Sequence, residues 1–224
     1  MNLYITSIGD VNNAKERTDG ARSRAKPGAK LRLKLGVIFG LRPSVIPVTR
    51  PIVRHSSPGS ESAYALLAHA FYSEYEEELP FIEKTPNGKP FFPDRPEIHI
   101  SLSHCKTHVA CVISDSPVGV DIESPREISR RAIKYFSSDE ELALFSPLEL
   151  WVLKESYIKL IGSTLAFIKH ISFSRDNNRI IPPEAIVASK LYYVDGCTAA
   201  ISSLGTDFPD TAETLSGSPD SDSC

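Results

Sequence analysis

Long apolar runs are missing from this sequence of 224 residues. The longest candidate, residues 35–41, is far shorter than the roughly 18 residues that a membrane-spanning helix needs. The first ten residues also lack the basic region and the small-residue cleavage site of a secretory signal. We therefore expect a cytoplasmic protein that does not act at a membrane.

Cysteine is scarce as well, with four residues and no pair spaced as CxxC. This usage indicates reduced thiols rather than a disulfide framework. A local group contains residue types that bind zinc, namely His104, Cys105, His108 and Cys111. If residues 105–114 are largely a strand, alternation sends these side chains to opposite faces. We therefore do not expect all four to share one tetrahedral ion.

The overall composition, 41% hydrophobic and 24% charged, is that of an ordinary globular chain. It suffices for one large domain or two small halves. The net charge of -3 hides an asymmetry, because residues 11–54 hold eleven Lys or Arg against two acids. Residues 205–224, in contrast, hold five acids and no base, and their Ser, Asp, Pro and Gly content predicts a flexible tail.

The basic segment, residues 10–59, has no sustained period of two or 3.6 and is interrupted by several prolines. Three interpretations are open: a basic loop that helps to hold a phosphorylated ligand, a nucleic-acid arm, and an insertion or a segment of altered reading frame. A merely solvated surface is the simplest alternative, and basic density alone does not separate these interpretations.

Two short stretches each place acidic side chains on one face of a predicted strand or helix. In residues 117–123, PVGVDIE, strand alternation puts Asp121 and Glu123 on one face with Gly119, and apolar residues on the other. In residues 150–160, LWVLKESYIKL, an amphipathic helix puts Glu155 and Lys159 on one face, about 6 Å apart along the axis.

If these elements meet, three carboxylates raise one another's pKa unless a cation lies between them. Oxygen ligands of this kind, with room for water and phosphate oxygens, suit Mg²⁺. Lys159 would then lie where it can meet a phosphate. Taken singly, each stretch could equally be an exposed ion pair or a solvated strand end.

Five motifs in order resemble one family. They are NGKP at 87–90, ISLSH at 100–104, GVDIE at 119–123, YFS at 135–137 and WVLKESYIK at 151–159. Together they resemble the 4'-phosphopantetheinyl transferases of the long, Sfp-like type, from about residue 60 to residue 204. The resemblance is poor before residue 60.

The chain in order predicts an α+β fold with two similar halves, each a long helix packed on a small antiparallel sheet, which is the fold that the resemblance implies. The predicted division is residues 1–116, residues 117–204 with the acidic cluster, and the tail, 205–224. Residues 60–79 and 146–160 supply the long helices, and residues 98–113 and 190–203 supply hairpins. We also expect a helix that begins at Ser124 and runs through Tyr135, and a strand at residues 167–173.

The resemblance further implies a Mg²⁺-dependent transfer of 4'-phosphopantetheine from coenzyme A to a serine of an acyl or peptidyl carrier protein, releasing adenosine 3',5'-bisphosphate. It implies a monomer that binds no nucleic acid. The metal ligands would be Asp121, Glu123 and Glu155. Glu155, directly or through a water, would take the serine proton, and Lys159 would stabilise the leaving group. The residues implied at the coenzyme are Gly88, Lys89, Pro90, Ser103, His104 and Lys159, with Lys154 as a helper about 100° round the helix from Glu155.

One position departs from the family pattern. Glu61 keeps the acid at the start of the first long helix, but Tyr64 stands where an arginine that grips the coenzyme is expected. Arg50, Arg54 or His55 could substitute for it. Two other functions stay open: another Mg²⁺-dependent phosphohydrolase or nuclease, and a non-catalytic homologue that binds coenzyme A or a carrier.

Overall fold

Two helix-covered sheets form the framework of the described part of the chain. The structure is a computed structural model, and it describes residues 1–11, 57–205, 208–209 and 213–214. Our interpretations of the basic segment, including those of Arg50, Arg54 and His55, therefore lie outside the described residues.

The first sheet has four strands in the order β11-β1-β5-β4. Their bounds are Asn2–Ser7 for β1, His99–His104 for β4, His108–Ser114 for β5 and Glu213–Thr214 for β11. The β1–β5 and β4–β5 pairs are antiparallel, whereas β11 runs parallel to β1. Two residues of the predicted tail thus form a strand.

Helix α1, Pro58–Tyr75, covers this sheet. It begins two residues before the predicted start at residue 60, because the Ser57 side chain accepts a hydrogen bond from the Ser60 N–H and Pro58 lies in the first turn. Leu67 and Phe71 of its buried face pack against strand β5. The helix ends at Glu76 in a left-handed conformation, earlier than the predicted end. A short hairpin, β2 at Glu83–Lys84 and β3 at Pro90–Phe91, follows.

The second sheet is antiparallel, in the order β6-β10-β9. Its strands are β6 at Val118–Glu123, β9 at Ala188–Val194 and β10 at Cys197–Ser203. The β9–β10 turn is the predicted Asp195-Gly196 pair, and both residues have positive φ, 48° and 77°.

Helix α4, Pro147–Ile161, packs on β6 and β10. It begins as predicted with a capping box, in which the Ser146 hydroxyl accepts from the Glu149 N–H and the Glu149 carboxylate accepts from the Ser146 N–H. Gly162, with φ of 65°, ends it. Helices α2 at Arg130–Phe136 and α3 at Asp139–Leu142 precede α4.

The predicted helix start at Ser124 is wrong. Helix α2 begins six residues later, because Ser129 is the residue whose hydroxyl accepts the first-turn N–H of Ala132. The intervening Arg126 is held outside any helix by hydrogen bonds to Glu123 and by its position over the Trp151 ring.

The predicted strand at residues 167–173 is also wrong. Residues Leu165–His170 form a 3-10 helix, and a hairpin follows with β7 at Ser174–Asp176 and β8 at Arg179–Ile181. Ile168 and Ile171 are both buried in the core under α4. Ile168 is the buried residue of the 3-10 helix, and Ile171 follows the helix in extended backbone.

A further apolar cluster contains residues of both sheets, including Ile5 and Val112 from the first and Val120, Ile122 and Ile201 from the second. The α+β fold class is therefore confirmed, with one long helix on each small sheet. The proposed boundaries between the halves stay predictions. Among the described residues, none of the helices combines the length and the apolar character that crossing a membrane requires.

Candidate active site

The three carboxylates selected from the sequence lie together. Asp121 and Glu123 project from strand β6, and Glu155 projects from helix α4. One oxygen from each lies within 4.8 Å of those from the other two. The predicted juxtaposition is therefore present, and it is built from one strand face and one helix face.

Gly119 explains how the helix comes so close to the strand. A Cβ atom on Gly119 would lie 2.0 Å from the Ser156 carbonyl oxygen and 2.4 Å from the Leu160 backbone nitrogen. Both are backbone atoms of α4, so no side-chain rotation could relieve the clash. The absence of a side chain thus allows α4 to rest on β6 at the turn that carries Glu155.

Asp121 is the buried centre of the cluster, only 3% exposed. Its Oδ1 accepts hydrogen bonds from the Ser103 hydroxyl at 2.7 Å and from the Lys159 ammonium at 2.7 Å. Lys159 also donates to Ser103 Oγ at 2.8 Å. Within the described chain, Asp121 Oδ2 has no hydrogen-bond partner although it is buried. Such an oxygen is costly to bury unless another ligand reaches it.

The electrostatics of the cluster favour a cation. Burial first, and then the negative charge of Asp121, raise the pKa of Glu155 to about 7, against the opposing effect of Lys159. Glu123 is paired with Arg126, whose Nε and Nη2 donate to its carboxylate at 3.2 and 3.1 Å. The all-oxygen donor set and the unpartnered Asp121 oxygen fit a hard divalent ion such as Mg²⁺.

A pocket adjoins the cluster and shares Ser103 with it. Its lining consists of Ser60, Ala63, Tyr64, Gly88, Pro90, Leu102, Ser103 and His104. Four residues expected at the coenzyme therefore share one pocket. Gly59 lies directly against the His104 ring, since a Cβ there would come within 2.8 Å of Nδ1. The first turn of α1 thus forms one wall, where backbone N–H groups and the helix dipole favour an anion.

Lys89 is placed differently from its neighbours Gly88 and Pro90. Its ammonium donates to the carbonyl oxygens of Val118 at 3.0 Å and Leu160 at 2.9 Å, and burial lowers its pKa to about 8. In this structure the ammonium ties the turn to β6 and α4, and the expectation that Lys89 contacts the coenzyme stays a prediction. Asn87 adds a bond from Nδ2 to the Gly162 carbonyl at 2.7 Å.

Lys154 lies away from the cluster, and its role as a helper at the coenzyme stays a prediction. It is only 1% exposed, and its ammonium donates to the Phe136 carbonyl and to the Glu141 carboxylate, at 2.9 Å from Oε1. Glu141 Oε1 additionally accepts the Phe173 N–H. The rotation of about 100° between Lys154 and Glu155 on the helix directs Lys154 into the core under α4, so it does not reach the acidic cluster.

Tyr64, which replaces the expected arginine, lines the pocket. The Lys84 ammonium lies over its ring, 5.7 Å from the centroid. Sequence reasoning missed both Lys84 and Arg126. Lys84 is brought to the Tyr64 ring by the pairing of β2 with β3, which the sequence did not predict. Arg126 was assigned to a helix that does not form there, although its spacing of three from Glu123 was a usable signal.

Comparison with known proteins points to one family. Residues 117–196 match the family model described as the 4'-phosphopantetheinyl transferase superfamily. This segment carries all three clustered carboxylates and Lys159. Through it the chain is similar to that superfamily, and the match confirms the resemblance recognised from the motifs.

Three relatives illustrate the similarity. The chain is 36% identical over 111 residues to 4'-phosphopantetheinyl transferase psf-1 of Bacillus pumilus, which covers 45% of this chain and 47% of the relative. It is 40% identical over 106 residues to 4'-phosphopantetheinyl transferase gsp of Aneurinibacillus migulanus, covering 43% and 44%. It is 36% identical over 91 residues to 4'-phosphopantetheinyl transferase Sfp of Bacillus subtilis (strain 168), covering 35% and 40%. The chain thus matches less than half the length of each.

Proposed function

We propose that this protein transfers 4'-phosphopantetheine from coenzyme A to a serine hydroxyl of an acyl or peptidyl carrier protein, with Mg²⁺, and releases adenosine 3',5'-bisphosphate. The observation that carries the proposal is the meeting of three carboxylates around an unpartnered buried oxygen, beside a pocket lined by Ser103 and His104. The proposed setting is a monomer in the cytoplasm.

Asp121, Glu123 and Glu155 are the residues that would hold Mg²⁺. When bound, the ion would neutralise charge on the diphosphate as the P–O bond breaks. Binding there requires no rearrangement of Asp121 Oδ1, which already has two donors, because Oδ2 is the oxygen without a partner in the described chain.

The pocket would hold the phosphorylated end of coenzyme A. His104 offers a ring nitrogen to this end, and the first turn of α1 adds its backbone N–H groups. Ser103 lines the same wall, although its hydroxyl already donates to Asp121. Tyr64 offers no positive charge where the family resemblance leads us to expect an arginine. Lys84, held over the Tyr64 ring, is the described cation closest to that role.

The proton and the leaving group have separate partners. Glu155, directly or through a water, would accept the proton of the carrier serine as the serine oxygen attacks phosphorus. The electron pair of the broken P–O bond would pass to the bisphosphate. Lys159 lies where its ammonium would stabilise that new charge.

The test is incubation with coenzyme A, Mg²⁺ and an apo carrier protein, with mass spectrometry of the carrier. We expect one phosphopantetheine adduct per carrier serine. Glu155→Gln and Asp121→Asn should reduce the rate by about 100-fold or more, because each removes a charged ligand of the Mg²⁺ that would neutralise the diphosphate. Glu127→Gln, at an exposed position outside the cluster, is the matched control and should retain the rate.

Two other results would overturn the proposal. Release of phosphate from coenzyme A without any carrier adduct would indicate a phosphohydrolase. Binding of coenzyme A without turnover, over a panel of carriers of both kinds, would indicate a non-catalytic homologue, which the change at Tyr64 would favour.

A further inference from the structure

Two hairpin turns from different sheets meet at a group of sulfur and nitrogen atoms. Cys105 lies in the β4–β5 turn and His108 opens β5, whereas Cys197 opens β10 just after the Asp195-Gly196 turn. One ligand atom from each of Cys105, His108 and Cys197 lies within 4.8 Å of the other two. Cys197 is 2% exposed and His108 is 7% exposed.

The spacing of these atoms resembles the corners of a tetrahedron. His108 Nδ1 lies 3.3 Å from Cys197 Sγ. Around a zinc ion, with Zn–S near 2.3 Å and Zn–N near 2.0 Å, tetrahedral angles separate sulfur and nitrogen by roughly 3.5 Å. Thr107 Oγ1 lies 2.9 Å from His108 Nδ1, 3.7 Å from Cys197 Sγ and 3.8 Å from Cys105 Sγ. The hydroxyl therefore lies near a fourth corner.

The histidine is oriented for ligation by its other nitrogen. His108 Nε2 faces the Asp195 carboxylate at 3.5 Å. A proton on Nε2 directed at this carboxylate leaves the lone pair of Nδ1 facing the two sulfurs. A carboxylate behind a histidine in this way is the usual outer support of a zinc-bound imidazole.

The sulfur of Cys105 is surrounded by donors. The Ser124 hydroxyl donates to it at 3.0 Å and the His108 backbone N–H at 3.4 Å. These two hydrogen bonds hold the Cys105 sulfur in place beside His108. Cysteine sulfur together with histidine nitrogen is a usual donor set for zinc.

We infer that Cys105, His108 and Cys197 form a zinc site, with Thr107 or a water at the fourth position, which fastens the β4–β5 turn of the first sheet to the β9–β10 turn of the second. Its role is structural, because its ligands come from turns of two different sheets and the ion would join those turns. The site is separate in its ligands from the acidic cluster and does not depend on the proposed transferase activity. It also differs from the four-residue group considered in the sequence, since Cys111 packs in the core under α1.

Cobalt is the probe for this site. The reduced full-length chain, stripped of metal with a chelator, is titrated with Co²⁺. We expect one ion per chain with a near-ultraviolet thiolate-to-cobalt band, and stoichiometric Zn²⁺ should abolish this band. Carboxylates give no such band, so Glu155→Gln should leave it unchanged and thereby separate this site from the acidic cluster.

Variants assign the ligands. Cys105→Ser, at the partly exposed ligand, should abolish the band while the circular dichroism of the chain is kept. Asp195→Asn, which keeps all three ligands, should weaken zinc affinity by about 10- to 100-fold. Cys111→Ala is the matched control for a cysteine outside the site and should leave the band intact.

Three results would overturn the inference. The first is Co²⁺ binding without a thiolate band in the reduced wild-type chain. The second is a band that persists in Cys105→Ser. The third is a Cys105–Cys197 disulfide that forms in the presence of excess reductant and Zn²⁺, which would identify the pair as a covalent link instead.

Discussion

Adding one methyl group at Gly119 should displace the helix that carries Glu155. The new Cβ of Gly119→Ala would lie 2.0 Å from the Ser156 carbonyl oxygen and 2.4 Å from the Leu160 nitrogen. Ordinary contacts of this kind begin near 3.4 Å, so helix and strand must separate by about 1.4 Å. Neither obstacle is a flexible side chain, and the shift must therefore be taken up by the backbone.

The expected cost follows from the packing that surrounds this contact. Overpacking a well-packed core costs typically about 1–3 kcal/mol, and a backbone clash belongs at the upper end of this range. A domain stabilised by about 5–15 kcal/mol should still fold with such a loss. The same movement carries Glu155 away from Asp121, so we expect affinity for Mg²⁺ to fall by at least tenfold, or about 1.4 kcal/mol.

Two measurements test this reasoning. Urea denaturation gives the free energy of unfolding, and calorimetric titration with Mg²⁺ gives the affinity of the folded variant. Gly9→Ala is the matched control, because its Cβ would meet only Ser7 Oγ at an ordinary 3.7 Å; this variant should change stability by no more than about 0.5 kcal/mol. A Gly119→Ala variant with wild-type stability and wild-type Mg²⁺ affinity would refute the account of how the cluster forms.

Three further predictions concern titration and charge. Without metal, the pKa of Glu155 is raised from 4.5 to about 7, chiefly by burial and then by Asp121, so the folded state binds more protons than the unfolded state between these pH values. The free energy of unfolding should therefore fall as pH rises from 4.5 to 7, by at most about 3 kcal/mol. Glu155→Gln or saturating Mg²⁺ should remove this dependence when denaturation is measured at several pH values. Burial lowers the pKa of Lys89 from 10.5 to about 8, so the unfolded state binds more protons than the folded state between these pH values. The free energy of unfolding should therefore rise with pH from about 8 to 10.5, and it should not do so in Lys89→Met. Tyr64→Arg should tighten coenzyme A binding by roughly tenfold in calorimetry, because it adds a cation to the pocket wall. Lys84→Met should weaken coenzyme A binding, because it removes the cation that lies over the Tyr64 ring. If neither variant changes the affinity, this wall does not contact coenzyme A.

Local rules predicted the elements that carry the acids. Alternation in PVGVDIE placed Asp121 and Glu123 on one face of a strand, and the capping box at Ser146 and Glu149 fixed where α4 begins. These signals are short-range, so they survive without knowledge of the fold. The juxtaposition of Asp121 with Glu155 required the family resemblance, because no local rule brings together residues from a strand and a later helix.

The lysines show where local rules stop. Lys89 and Lys154 are both in motifs that suggest a phosphate partner, yet the ammonium of each is bonded within the protein. The partners of Lys89, the carbonyls of Val118 and Leu160, are backbone groups that any sequence would offer. Only the tertiary arrangement decides which carbonyl oxygens lie within reach of a lysine. The motifs therefore could not predict whether these ammonium groups would bond to the protein itself or to a ligand.

The acidic cluster also depends on residues outside the segment that matches the family model, residues 117–196. Ser103, from the first sheet, donates to the same Asp121 oxygen that Lys159 reaches. Lys89, from the β2–β3 hairpin, bridges the backbone of β6 and α4 close to Gly119, where strand and helix are in closest contact. The segment supplies all three carboxylates, but the hydroxyl and the ammonium that fix their surroundings come from the preceding sheet and hairpin. A fragment beginning at residue 117 should therefore contain every predicted metal ligand and still bind Mg²⁺ more weakly than the full chain.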